Sequence, residues 1–279
     1  TDSDSQFGFD LDFDARFGSS SKTPEPTETP KTPDGPTATF QQGTDGYSGT
    51  TDTMIRAADP ETSYSTAETL SIDGSDPKGS GSSAQALLRF GSITGTESGQ
   101  ISPGSDVKQA TVTLETSDAG DGAAVHRLRT DWSADSTWAS LDGGVQADGS
   151  QAVADAVART GAVETGEISI DVTASVDAWV NGAQNAGWVF RPLGNDGWDI
   201  QSADNAIPPT LTVSYTPGET VAGDADGDGD VDTDDVDRIQ RSVAGEDSDI
   251  DRDAADIDGD GDVDIGDAVS ARNLAGDDQ

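Results

Sequence analysis

The 279-residue chain carries 54 acidic side chains against 15 basic ones, of which four are lysines, for a formal net charge of −39. Such a field repels nucleic acid and anionic membrane surfaces, so neither is expected as a partner. The lack of cysteine excludes disulfides and thiolate metal sites. No run of eighteen apolar residues occurs, so no membrane span is expected. Spread-out acid, scarce lysine and 32% apolar content suit a halophilic protein. In molar salt the Debye length falls to roughly 3 Å and self-repulsion is screened. Five tryptophans and a strand-like pattern argue against a disordered acidic chain. A start at Thr1 without methionine predicts a removed signal peptide and a secreted, cell-surface location.

Residues 1–18 come first. Phe7, Phe9, Leu11, Phe13, Ala15 and Phe17 alternate with Gly8, Asp10, Asp12, Asp14 and Arg16. Period-two alternation predicts a β-strand with one apolar face, which must be covered and whose backbone needs ladder partners. The chain's own sandwich, a foreign protein or a neighbouring copy could provide the cover. Residues 19–38 hold five prolines among Thr, Ser and Glu, an extended linker better suited to reaching another subunit. The favoured reading is donor-strand complementation from residues 6–17, a heterologous contact that builds a filament.

Residues 39–217 contain short alternating runs at 53–56, 86–90, 110–115, 125–129, 167–172, 188–191 and 210–215, separated by Gly, Ser, Asp and Asn. Frequent turns between short strands predict an antiparallel, jelly-roll-like β-sandwich. Helical periodicity occurs only near 151–159 and 172–180. Of Trp132, Trp138, Trp179, Trp188 and Trp198, most should be core. Trp198, within the Gly-rich GNDGWDI, is the candidate for an exposed glycan-stacking ring. His126, in VHRLR, is expected on a strand surface. No GxSxG, P-loop or HExxH occurs, and no carboxylate pair stands out for glycoside hydrolysis, so a non-catalytic protein is expected.

Residues 224–276 repeat themselves after 32 positions. Asp224, Asp226, Asp228, Asp230, Asp232 and Asp235 occupy positions 1, 3, 5, 7, 9 and 12 of an EF-hand-like loop, with Gly229 at the turn. Asp256, Asp258, Asp260, Asp262, Asp264 and Asp267 repeat the set around Gly261. Hard carboxylate oxygens in this number and spacing suit Ca²⁺, so two calcium ions are expected. A helix follows each loop. The second is read as one residue shorter, with only Ala268, Ala271 and Leu274 as an apolar stripe, and as packing elsewhere.

The two loop-helix repeats resemble a type I dockerin, a calcium-dependent module that binds cohesins on extracellular scaffolds. The resemblance implies a small α-helical domain over 218–279. It also implies partner-reading positions at Thr233, Asp234, Gln240 and Arg241, and at Ile265, Gly266, Arg272 and Asn273. Residues 39–217 resemble the DNRLRE-type sandwiches, which are related to certain carbohydrate-binding modules. The match rests on DGYSGTTDTMIR (45–56), ALLRF (86–90), VKQATVTL (107–114), STW (136–138), IDVTASVDAW (170–179), the surroundings of Trp188 and Trp198, and PPTLTVSY (208–215). It implies a non-catalytic surface domain with some polysaccharide-binding relatives. The combined expectation is a mostly β, extracellular, calcium-dependent assembly protein that polymerises into a surface fibre. The alternative is a carbohydrate-binding module anchored to a cohesin-bearing scaffold through its dockerin.

Overall fold

A computed structural model describes residues 35–95, 99–218, 221–227, 231–246 and 250–276. The predicted Phe-rich strand and nearly all of the proline linker lie outside these residues. Eleven strands and one helix make up the sandwich: β1 (Thr37–Gln41), β2 (Thr50–Arg56), β3 (Thr69–Ile72), β4 (Ala84–Phe90), β5 (Asp106–Asp118), β6 (Ala123–Arg127), β7 (Ala158–Arg159), β8 (Gly166–Asp171), α1 (Thr173–Val180), β9 (Trp188–Pro192), β10 (Trp198–Gln201) and β11 (Thr210–Thr216). All seven alternating runs fall within or overlap strands. The sandwich begins at Thr37, two residues before the expected boundary, because β1 pairs with β11 from Thr37↔Ser214 to Gln41↔Thr210.

The strands form two antiparallel sheets. The first runs β1-β11-β5-β10-β3, with β8 on the other side of β5; the second runs β2-β4-β9-β6-β7. Alternation turns one face of each sheet inward. Leu70, Ile72, Val112, Leu114, Leu211 and Val213 from the first sheet meet Leu88, Phe90, Val125, Trp188 and Phe190 from the second. Trp179, on α1, closes on Trp188 with ring centroids 4.7 Å apart.

A second core lies on the outer face of the second sheet. The connection between β6 and β7 crosses that face and places Trp132, Leu141, Val145 and Ala152 over Ile55, Leu87 and Val189. The Gln85 carboxamide clamps it in place: Nε2 donates to the Val145 carbonyl at 3.3 Å, and Oε1 accepts the Val145 N–H at 3.0 Å. The indole of Trp132 donates to Ala186 O at 2.8 Å. The helix expected near 151–159 is therefore absent. Val153 and Val157 instead give backbone N–H groups to Arg127 and Val125; Ala152 joins the outer core, whereas Val157 and Ala158 pack against the inner one. The same crossing buries His126, expected at a surface, to 4% exposure, with its Nδ1 3.0 Å from Val153 O.

Buried Asp52, on β2, accepts the Ala203 N–H at 2.6 Å. Desolvation raises its pKa from 3.8 to about 6. A carboxyl whose folded pKa is raised favours the protonated fold, so stability is fullest below pH 3.8 and declines as pH climbs through about 6. At pH 7, Asp52→Asn is expected to stabilise by about 2–3 kcal/mol at most, since one pKa unit corresponds to about 1.4 kcal/mol. Urea midpoints across pH 4–8 check this: the gain should vanish near pH 4, and a pH-independent gain would refute it.

The carboxyl-terminal module holds α2 (Thr233–Val243), α3 (Arg252–Ala255) and α4 (Ile265–Gly276). Asp232 caps α2 through a capping box with Asp235. Helix α4 has 12 residues to the 11 of α2, so it is not the shorter one. Nor does it pack elsewhere: Ala268 and Ala271 close against Val236, Ile239, Ile250 and Ala255, small residues letting the helices approach. Leu274 stays 42% exposed and does not complete the stripe.

Candidate functional site

The tryptophans offer little to a ligand. Trp198 is fully buried, and its indole donates to Thr116 Oγ1 at 3.0 Å while its ring sits against Phe190. The expectation of an exposed stacking ring is thus corrected: β10 pairs with both β3 and β5, and alternation turns Trp198 and Ile200 into the core. Trp132, Trp179 and Trp188 are also buried. Trp138 is half-buried against the second core.

Charge marks a different surface. In the second sheet Ala124 pairs with Arg159 on one side and Arg191 on the other. Ala158 and Phe190 pack against the inner core, so the next residue on each strand points outward. Two strand spacings, about 10 Å, separate the Cα atoms of the two arginines, with only a small methyl between them. Among the described residues, ion pairs are formed by Arg56 and Lys108, and neither Arg159 nor Arg191 forms one. Arg191 Nε is buried with no hydrogen-bond partner there. Burial, reinforced by the charges of Arg191 and Arg159, holds the His126 pKa below its usual value. Sequence reasoning missed both arginines, because 32 residues separate them in the chain; the scarcity of cations was the only hint.

The second constellation is at the carboxyl end. Carboxylate oxygens of Asp224, Asp226 and Asp235 lie within 4.8 Å of one another, as do those of Asp256, Asp258 and Asp267. These are positions 1, 3 and 12 of the two loops. The last carboxylate organises each loop in the same way. Asp235 Oδ1 and Oδ2 accept the N–H groups of Asp226 and Asp232 at 3.1 and 2.8 Å. Asp267 Oδ1 accepts Ile257 and Asp258, at 2.7 and 3.3 Å, and its Oδ2 accepts Asp264 at 2.8 Å. Both organising aspartates are 1% exposed. Nearby carboxylates and partial desolvation raise the Asp262 and Asp258 pKa values, desolvation leading at Asp258 and Asp260 at Asp262. Converging hard oxygens fit a hard divalent cation.

Asp228 and Asp230 lie outside the described residues, as do Phe7, Phe9, Leu11, Phe13 and Phe17. Asp232 caps α2, Asp260 accepts the Asp262 N–H, and Asp264 accepts the Gly266 N–H. Of the expected partner-reading positions, Thr233, Asp234, Arg241, Ile265, Arg272 and Asn273 are exposed; Gln240 and Gly266 are half-buried.

Two antiparallel sheets packed face to face define a β-sandwich. The sequence profile of carbohydrate-binding module family 96 matches residues 44–215, more than half of the chain. The chain belongs to that family, whose modules are non-catalytic by nature. No curated protein was found to match the chain. Among the described residues, no helix is long and apolar enough to cross a membrane.

Proposed function

We propose that the sandwich binds an anionic polysaccharide on the outer face of its second sheet, and that the carboxyl-terminal module is a calcium-loaded, dockerin-like attachment device. One observation carries the glycan reading: in a chain of net charge −39, two neighbouring outward arginines take no carboxylate partner among the described residues. A guanidinium pairs bidentately with a carboxylate or sulfate, so uronate or sulfated sugars supply what the protein does not. The two arginines, their Cα atoms about 10 Å apart, would address acidic groups on nearby sugar units. Because the net charge repels an anionic chain at long range, moderate salt should first strengthen this binding by screening. Such a module works outside the cell, where polysaccharide and calcium meet.

The test is isothermal titration and affinity electrophoresis with uronate-rich, sulfated and neutral polysaccharides. The Arg159→Ala, Arg191→Ala double variant should bind the acidic polymers at least ~10-fold more weakly, since a hydrogen bond to a charged group contributes about 1.5–3 kcal/mol. Unchanged affinity in that variant would overturn the assignment.

The attachment reading rests on the matched hydrogen bonding of the two loops and on exposed side chains at the start of each helix. In the resembling family such positions read a cohesin. The calcium-loaded module would then anchor the sandwich to a scaffold protein. A calcium-dependent pull-down with cohesin modules tests this, and binding that persists in chelator would count against it.

A further inference from the structure

A cleft of about 470 Å³ opens where β1 turns into β2, facing the segment that follows β4. The ring of Tyr47 forms part of its wall and is fixed twice. It packs edge-on against Phe40, with centroids 5.3 Å apart, and its hydroxyl donates to Gly91 O at 2.9 Å. Thr44, Asp45, Ser48, Ser92 and Gln100 surround it. Gln100 Nε2 donates to the Ser92 carbonyl at 3.1 Å, joining two parts of the rim.

The backbone singles this cleft out. Only three non-glycine residues among those described adopt a left-handed conformation, and two of them, Asp45 (φ 50°) and Ser92 (φ 52°), line it. Glycine is plentiful on both rims, at 43, 46, 49, 91, 95 and 99. Asp45 with Gly46 (φ 81°) makes an Asp-Gly turn closed by the Tyr47 N–H on Thr44 O at 2.9 Å, whereas at 92 glycine would meet the geometry more easily than serine. The turn presents the Asp45 carboxylate on one rim, and the strained backbone at Ser92 holds a hydroxyl on the other, as ligand sites often do.

The lining also selects the ligand. Among the described residues it contains one carboxylate and no cation, so an anion is repelled. Hydroxyls, an amide and a carboxylate around a fixed aromatic ring match sugar hydroxyls and the C–H face of a pyranose. The volume lies within the usual range of small-molecule pockets. We propose that this cleft is a second glycan site, taking a neutral sugar at a chain end or branch, separate from the arginine row. This rests on the carbohydrate-binding reading. Two sites with different preferences on one sandwich would give avidity for a polymer bearing both kinds of sugar.

Full-length protein should be titrated with glucose, galactose, mannose and N-acetylglucosamine, as free sugars and short oligomers, by saturation-transfer NMR and calorimetry. Asp45→Gly and Ser92→Gly each remove a polar side chain at a φ that glycine adopts freely. Both are expected to keep or raise the melting temperature, yet to weaken neutral-sugar binding at least ~10-fold and leave acidic-polymer binding unchanged. The Arg159→Ala, Arg191→Ala variant should show the reverse pattern. Neutral-sugar binding that survives both glycine variants would overturn the cleft, as would acidic-polymer binding with no response to any neutral sugar. Binding of no glycan whatever would overturn the cleft and the family-based reading together, and the loss of the acidic-polymer signal separates that case.

Discussion

Removing calcium is expected to melt the carboxyl-terminal module and leave the sandwich folded. Each loop draws three carboxylates within 4.8 Å of one another, and one of each trio is almost completely buried. With no cation between them, mutual repulsion opens the loop and withdraws the hydrogen bonds of Asp235 and Asp267 that set the start of each helix. The core beneath is small: Val236, Ile239 and Ile250 with alanines supply most of its apolar contact. Binding contributes in proportion to the logarithm of ligand excess, about 2.7 kcal/mol per site at 100-fold over Kd. Hydrogen exchange read by mass spectrometry, with and without chelator, should therefore show protection lost across α2 and α4 and retained in β4, β5 and β9. Calorimetry should count two ions in the native chain, and one in either Asp235→Asn or Asp267→Asn. A chelator-treated sample that takes up no calcium would end this reading of the loops.

Replacement of Trp198 by alanine should cost about 3–5 kcal/mol, the usual range for truncating a buried large aromatic. Typical domains have only about 5–15 kcal/mol in all. The side chain is fully buried, fills the space beside Phe190 and satisfies Thr116 through its indole N–H. Denaturant unfolding followed by tryptophan fluorescence measures the loss. At temperatures where the variant remains folded, polysaccharide affinity should match that of the native chain. A variant of native stability with selectively weakened glycan binding would restore the stacking role that the surrounding glycines suggest.

The contrast between Trp198 and His126 shows where reading from sequence stops. Each was placed by its immediate neighbours: a Gly-rich context for the tryptophan, an alternating strand for the histidine. His126 does lie on the outward side of β6, as the alternation implies, but the 130–157 crossing covers it there. Strand pairing decided Trp198 in the same way, because β10 lies between β3 and β5. The helix expected near 151–159 failed for a related reason. Its apolar residues divide between two cores, Ala152 on the outer one and Val157 and Ala158 on the inner one, and a segment that passes from one to the other has no fixed period.

Local chemistry by itself determined much about this protein. Period-two runs marked most strands, because a pleated strand turns alternate side chains to opposite faces wherever it lies. The aspartate and glycine spacing marked two oxygen-rich loops, because positions 1, 3 and 12 of one tight turn converge wherever that turn lies. What depended on contacts between distant segments was decided only by the tertiary structure. Register brought Arg159 beside Arg191, pairing buried Trp198, and the return of β4 past the β1–β2 turn placed Ser92 opposite Asp45. Such juxtapositions join residues tens of positions apart, and no local pattern encodes which strands will be neighbours.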